Sequence, residues 1–319
     1  MSPSDFSDFI ERHPVILGEG AVIERLRRQP ATALDPALVN AGFIYDGAKR
    51  AALEAICREY LEIGRAHDLP LIMSTPTWRA NRENIAAAGF EGRDVNGDNV
   101  RFMRELRDSA GGYAAKIAIG GLIGCRGDAY RPEVALSAAE ARDFHGWQAA
   151  RLAAAGVDFL FGVTLPALSE AIGLAEAIAA TGLPGVISFV VRPAGTLLDG
   201  TPLKEAVDAL DAIVPLRPLA YMINCSHPDF ARSALFHPDH SSPRVRARII
   251  GLLANTAALS PEALDGQEEL IGEEPARFAA SLRALQAETG LKILGGCCGT
   301  DDRHIRCLAG SLAPDGPVA

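Results

Sequence analysis

The sequence reads as an α/β protein of the (β/α)8 class, a single TIM-barrel domain spanning residues 1–319. Three observations carry this reading. Apolar runs of strand length recur eight times, Ala-rich amphipathic stretches of helix length lie between them, and no Gly/Ser-rich linker or shift of composition divides the chain. Short apolar runs alternating with helices imply a parallel sheet buried on both faces. Eight such units imply closure into a barrel. A doubly wound open sheet is the alternative.

The elements follow in order. Val15-Ile16-Leu17 is the first run, followed by a polar helical stretch ending near Arg28. A helix from near Ala48 to Asp68 leads to Leu69–Met73. The remaining runs are Lys116–Ile123, Val157–Val163, Val186–Val191, Leu219–Ile223, Arg248–Leu253 and Leu291–Leu294. The clearest helices are Ala138–Ala155 and Leu168–Ala180, with Ser137 and Ser169 as expected N-caps. Glu91–Asn99 and Leu259–Glu274 read as long loops after the second and seventh strands.

Bulk composition narrows the function. The chain is 48% hydrophobic and 22% charged, with a net charge of −9. A nucleic-acid partner would require a basic stripe, and only short clusters such as Arg25-Leu26-Arg27-Arg28 occur. No run reaches the ~18 apolar residues of a membrane span. The N-terminus, with Asp5, Asp8 and Glu11, lacks the basic start and apolar core of a signal peptide. Six cysteines in a large acidic chain without an export signal point to the cytoplasm. Clustered cysteines in that compartment are more often metal ligands or catalytic groups than disulfides. A homo-oligomer is left open.

Two of the expected strands end in cysteine. Ile223-Asn224-Cys225 closes the sixth, and Gly295-Gly296-Cys297-Cys298-Gly299-Thr300 follows the eighth. The carboxyl ends of barrel strands form one rim, where active sites sit. Barrel closure therefore brings Cys225 toward Cys297 and Cys298. Three thiolates form a soft donor set for which zinc is the default divalent ion, with Zn–S distances of ~2.3 Å. Three ligands instead of four leave an open position, the mark of a catalytic site. Three thiolates also over-neutralise the dication, which disfavours hydrolysis and suits deprotonation of an incoming thiol. Inert buried thiols and a redox pair are the competing readings of the Cys-Cys pair. Cys57 and Cys307 fall in helical patterns and are expected in the core, and Cys125 is expected to pack near the rim.

These residues resemble the homocysteine S-methyltransferase family. The similarity lies in Gly295–Thr300 with His304-Ile305-Arg306 after it, and in Ile223-Asn224-Cys225. It extends to Ser74-Thr75-Pro76-Thr77-Trp78-Arg79-Ala80-Asn81, to Asp199-Gly200-Thr201-Pro202-Leu203 and to Asn255. The resemblance implies a (β/α)8 barrel with zinc held by Cys225, Cys297 and Cys298. It implies methyl transfer from a small onium donor to a zinc-activated small thiol, homocysteine being the usual acceptor and methionine the product. A zinc- and thiol-binding barrel of the same fold with another acceptor, or with no methyl transfer, is the competing reading.

Two positions depart from the family. Glu19-Gly20-Ala21 stands where Asp-Gly is usual. Phe161-Gly162-Val163-Thr164 puts a neutral Val163 where the family carries the Glu that holds the acceptor's amino group. Either another acid such as Glu19 makes that contact or the acceptor is not homocysteine. Glu19, Thr75 and Asn224 are the expected substrate-binding residues. Trp78 is weighed as an aromatic face for an onium group and as rim packing. His227 is expected on a solvent-exposed loop, and His145 and His304 in structural or exposed positions. Gly120-Gly121-Leu122-Ile123-Gly124 lacks dinucleotide-loop spacing.

Overall fold

The computed structural model describes residues 3–212, 217–259 and 272–313. Eight strands occupy Ile16–Gly18 (β1), Leu71–Ser74 (β2), Ile117–Gly124 (β3), Phe159–Leu165 (β4), Gly185–Phe189 (β5), Ala220–Ser226 (β6), Ile249–Ala254 (β7) and Ile293–Gly296 (β8). Each begins within two and ends within three residues of its expected position. All neighbours pair in parallel, and the sheet closes in sequence order from β1 to β8. Closure is made by Ile16 opposite Ile293 and Leu17 opposite Leu294. The expected (β/α)8 barrel is the observed fold, and the open-sheet alternative is excluded. No helix among the described residues is long and apolar enough to cross a membrane.

The apolar side chains divide into two layers because strand residues alternate faces. Leu17, Leu71, Ile119, Leu160, Ile187, Ile223 and Leu294 point outward and pack under the helices. Ile16, Ile72, Phe159, Phe161, Val186, Met222 and Ile293 fill the barrel interior. The amino-terminal end of the barrel is stoppered by the helix Pro3–Arg12. Its Phe6 ring stacks on Phe159 with centroids 4.0 Å apart, and Lys292 Nζ donates to the Ile10 carbonyl at 2.9 Å. With one end filled, the interior opens only toward the carboxyl rim.

Helix ends follow local chemistry. Ser137 caps Ala138–Ala155 in a capping box with Glu140, as its spacing predicts. That helix ends on Gly156 at φ +87°, in the left-handed region. Ser169 is not a cap. Its helix runs Leu168–Ala179 with Ala167 at the N-cap, and Leu168 N instead donates to Asp199 Oδ2 at 2.8 Å. An acid from the loop after β5 thus supplies the cap, leaving the Ser169 hydroxyl to donate to the Leu136 carbonyl. The stretch 91–99 is only partly loop. Asp94 caps a helix that begins at Val95 and runs to Asp108. Of the loop expected at 259–274, residues 260–271 lie outside the described residues.

The interior stopper makes a measurable demand. Phe6→Ala removes a fully buried ring and should lower the free energy of unfolding by about 3–5 kcal/mol. Chemical unfolding followed by far-UV circular dichroism checks this, and a loss under 1 kcal/mol would show that the helix does not close the barrel.

Candidate metal centre

β6 carries Asn224 and Cys225 to the rim through an irregular end. Its register against β7 shifts between Asn224 and Ser226, and Cys225 sits at φ +50°. A residue in that conformation at a bulge turns its side chain out of the regular pleat. β4 does the same one neighbour-but-one away. Its register against β5 shifts between Gly162 and Leu165, and Thr164 stands at φ +57°. Positive φ is costly for a β-branched residue and persists only when surrounding bonds enforce it. Asn224 provides them. Its Oδ1 accepts from Thr164 N at 2.9 Å and from Ser188 Oγ at 2.7 Å, and its Nδ2 donates to Thr164 Oγ1 at 2.8 Å. One amide therefore ties β4, β5 and β6 together, one residue before Cys225.

The Cys297-Cys298 turn is held mainly through its backbone. Cys297 N donates to the Ala254 carbonyl at 2.7 Å, and Thr256 N donates to the Cys298 carbonyl at 3.2 Å. Cys298 N donates to Asn255 Oδ1 at 3.1 Å, and Gly299 N to Glu24 Oε2 at 2.5 Å. The Thr300 hydroxyl donates to the Cys297 carbonyl at 2.7 Å and accepts from Ala21 N at 3.0 Å. Gly299 is required by both its φ of +84° and its space, since a Cβ there would meet Thr256 Oγ1 at 1.9 Å. Gly295 lets the seam close, because its Cβ would lie 2.8 Å from the Gly18 backbone.

The result is a cluster of Cys225, Cys297 and Cys298 whose sulfurs all lie within 4.8 Å of one another. Three sulfurs at ~2.3 Å from one tetrahedral zinc stand ~3.8 Å apart, so the cluster matches that ion in spacing and softness. Among the three groups themselves, hydrogen bonds from the Cys297 and Cys298 thiols hold the Cys225 thiol well below its usual range. The same bond, lost if Cys297 ionises, drives the Cys297 thiol up.

The sulfurs open onto a cavity of about 690 Å³ at the carboxyl rim. Glu19 lines it, with Oε1 accepting from Ser74 N at 3.1 Å and Oε2 inaccessible and unpartnered. Burial pushes this carboxyl up to about 7, against the opposing pull of the Ser74 hydrogen bonds. Phe161, Val163 and Trp78 form an apolar wall, and the Arg79 guanidinium lies 4.5 Å from the Trp78 ring centre. Thr75 also lines the cavity. Its hydroxyl is engaged within the rim, 2.7 Å from Thr77 Oγ1 and accepting from Leu122 N at 3.0 Å.

Other expectations change. His227 is buried, not exposed. Its Nδ1 accepts from Asp229 N at 3.2 Å and caps the next helix, while Nε2 lies 3.5 Å from Glu273 Oε1. His304 and His145 are buried and structural, paired with Asp301 at 2.8 Å and Glu170 at 3.0 Å. Cys57 is buried, as expected, but it lines the cavity near Glu19. Cys125 is buried, and its thiol is pushed up to about 12 by burial. Cys307 is exposed, since it falls on the outer face of its helix. Tyr130, which no sequence motif singles out, lines the cavity from the loop after β3 and packs against the cluster of Val190, Leu198 and Cys225.

The family described as Homocysteine S-methyltransferase matches residues 16–312. The homocysteine S-methyltransferase of Escherichia coli K12 is 27% identical over 320 residues, covering 94% of this chain and 96% of that protein. Bovine betaine–homocysteine S-methyltransferase 1 is 25% identical over 331 residues, covering 94% of this chain and 73% of that protein. In fold, the chain matches the metallated form of the E. coli homocysteine methyltransferase MmuM with a TM-score of 0.73 at 22% identity, over 94% of this chain and 97% of the other. The oxidised form of MmuM gives 0.74 at 23% identity, over 94% of this chain and 96% of the other. With a rim cluster of three cysteines on a closed barrel, and a family match that runs from β1 to the last helix, this chain belongs to the homocysteine S-methyltransferase family.

Proposed function

We propose that the protein is a zinc-dependent S-methyltransferase that moves a methyl group from a small onium donor to a small thiol, homocysteine by default. The observation that carries this reading is the convergence of the Cys225, Cys297 and Cys298 sulfurs on the wall of the rim cavity. Zinc held by these sulfurs supplies a position at which an incoming thiol sheds its proton at neutral pH. The names of the similar enzymes support homocysteine as acceptor, with betaine as one donor type.

The remaining work falls to the chain's own side chains. Cavity walls exclude water and bring donor and acceptor together, which replaces a bimolecular encounter by a positioned one. The acceptor sulfur attacks the methyl carbon in line with the donor's C–S or C–N bond. The bond pair returns to the onium atom, which leaves uncharged, and the thiol's proton passes to solvent. Glu19, which lines the cavity, supplies the carboxylate for the acceptor's ammonium. Asn224, next to Cys225 on β6, holds the β4 end in register with it. Thr75, with its hydroxyl already bonded, contributes shape. The Trp78 and Phe161 rings offer apolar, electron-rich surface to the onium methyl groups.

A second reading rests on Val163. This side chain is buried on the cavity wall, where it offers no charge to an ammonium. The same barrel would then methylate a thiol without an α-amino group, or hold zinc and thiols without turnover. A panel of thiols crossed with onium donors, read by mass spectrometry, separates the readings. Methylation of homocysteine supports the first, methylation confined to amine-free thiols supports the second, and binding without product supports a non-catalytic barrel.

Replacing Cys225, Cys297 or Cys298 singly by Ala should abolish both zinc content and turnover, measured by metal analysis and product formation. Full zinc and full activity in Cys298→Ala would overturn the ligand assignment. Glu19 yields a pH prediction. With its carboxyl near 7 in the free protein, binding an ammonium requires that proton to leave. Affinity for an amine-bearing acceptor should therefore rise about tenfold per pH unit from pH 5 toward 7 and level off above it. Glu19→Gln should bind more weakly and lose this component. The difference between the two proteins isolates it from the thiol's own proton. Identical profiles would remove Glu19 from the acceptor site.

A further inference from the structure

Three arginines stand in the run Arg25-Leu26-Arg27-Arg28, at the end of the short helix Ile23–Arg27 after β1, and their charges are not equally matched. Arg25 Nη2 pairs with Glu59 Oε2 at 2.5 Å. The Arg28 guanidinium pairs with Glu24, whose other oxygen holds the Gly299 amide. Arg27 makes no ion pair or hydrogen bond among the described residues. It lines the rim cavity and is exposed, which places it where the cavity meets solvent.

Asn40 lines the same cavity from the segment that follows. It is only 2% exposed, yet its side-chain amide bonds to no group among the described residues, and neither amide atom is sealed from the cavity. The other two amides on the wall are engaged. Asn224 Oδ1 accepts from Thr164 N at 2.9 Å and Asn255 Oδ1 from Cys298 N at 3.1 Å. A buried amide without a partner is costly, and slack in the chain does not explain this one. Asp35 and Val39 exchange main-chain hydrogen bonds, each of 2.9 Å, and Asp35 Oδ1 accepts from Ala37 N and Leu38 N, each at 2.8 Å. Val39 stands at φ +60°, which a β-branched residue adopts only under enforcement. Leu38 and Ala41 are fully buried on either side, and the Asn40 carbonyl accepts from Phe43 N at 3.1 Å. The amide is therefore fixed in place with its hydrogen-bonding capacity unused.

A primary amide offers two N–H donors, and Arg27 adds an unmatched positive charge to the same β1–β2 connection. A carboxylate fits both, since its oxygens accept from the amide and its charge is drawn to the guanidinium. Beside a zinc–thiolate centre that is already net negative, a substrate carboxylate is repelled unless it has such partners. We propose that Asn40, with Arg27 on its solvent side, forms a carboxylate subsite of the cavity, opposite in sign to the Glu19 site. The subsite selects substrates that bear a carboxylate as well as their reacting sulfur or onium centre. The inference rests on the cavity being the substrate site, as proposed above. The carboxylate belongs to the thiol acceptor or to the onium donor, and paired probes separate the two.

Calorimetric titration of the zinc-loaded full chain compares homocysteine with 3-aminopropanethiol, which lacks only the carboxylate, and betaine with tetramethylammonium, which differs in the same way. Asn40→Leu keeps the size and removes the hydrogen bonds. A hydrogen bond to a charged group corresponds to roughly a tenfold to hundredfold change in an equilibrium constant. Asn40→Leu should therefore weaken binding of the carboxylate-bearing member of one pair by about that factor and leave its carboxylate-free counterpart nearly unchanged. Loss in the thiol pair assigns the subsite to the acceptor, and loss in the onium pair assigns it to the donor. Asn40→Asp matches the parent side chain in size and sets carboxylate against carboxylate. It should weaken the same member at least as much, and it decides the matter if thermal unfolding shows Asn40→Leu to be poorly folded. Arg27→Ala should weaken that member by about two- to fivefold at low salt, with the difference fading as salt rises. Equal weakening of carboxylate-bearing and carboxylate-free compounds by the Asn40 variants would overturn the proposal. If the parent binds no thiol and no onium compound, the substrate-site reading itself fails and the subsite with it; if the parent binds them and both Asn40 variants match it, only the present inference fails.

Discussion

The site depends on how the Cys297-Cys298 peptides are held. Two adjacent residues on a strand normally point to opposite faces, so adjacent cysteines can share one ion only if the chain leaves strand geometry between them and the turn is enforced. Here the enforcement is mostly main-chain and comes from three neighbours. The end of β7 binds both cysteine amides and the Cys298 carbonyl. Glu24, from the helix after β1, takes the Gly299 amide. Thr300 ties the turn back to Cys297 and Ala21. Because the bonds converge on backbone atoms, the sulfurs are left free for a ligand while their positions are fixed.

A second constraint delivers Cys225 to the same point. Its bulge at the end of β6 and the matching irregularity at the end of β4 place two non-glycine residues at positive φ. Such conformations cost of order 1–3 kcal/mol each and survive where neighbouring bonds over-determine them. Asn224, the residue before Cys225, is the common brace, reaching Thr164 and Ser188. Two of the four described non-glycine residues at positive φ thus stand at the site, Val39 and Asp68 being the others, while the opposite end is filled by plain aromatic packing around Phe6 and Phe159. That division matches the general separation of stability and function between the two faces of (β/α)8 barrels.

The parts legible in the sequence were those with a local signal. Strand runs and their order were legible because burial on both faces leaves uninterrupted apolar stretches. The three cysteines were legible because each stands at the end of such a run, and barrel closure then determines which ends meet. Interactions that depend on distant partners were not legible. Ser169 has the composition of a cap, but Asp199 supplies the cap from another loop. His227 sits in a loop-like stretch, but the fold buries it against Glu273. Cys307 lies in a helical pattern whose phase leaves it outward. Tyr130 has no motif at all, and the neck of its loop is closed by Glu170, forty residues away.

Glu19 and Val163 set the electrostatics of the cavity on the proposed reading. A zinc centre with three thiolates is already net negative, and every fixed carboxylate added to the same enclosure raises the cost of forming another thiolate there. Val163 removes one possible source of that repulsion from the β4 rim. Glu19, whose carboxyl burial pushes up to about 7, is only partly ionised near neutrality before a cation arrives, so its charge is present chiefly when something positive neutralises it. A carboxylate that ionises on demand, opposite a neutral wall, lets the cavity accept a cationic substrate without holding a permanent excess of negative charge against the thiolate it must help to form.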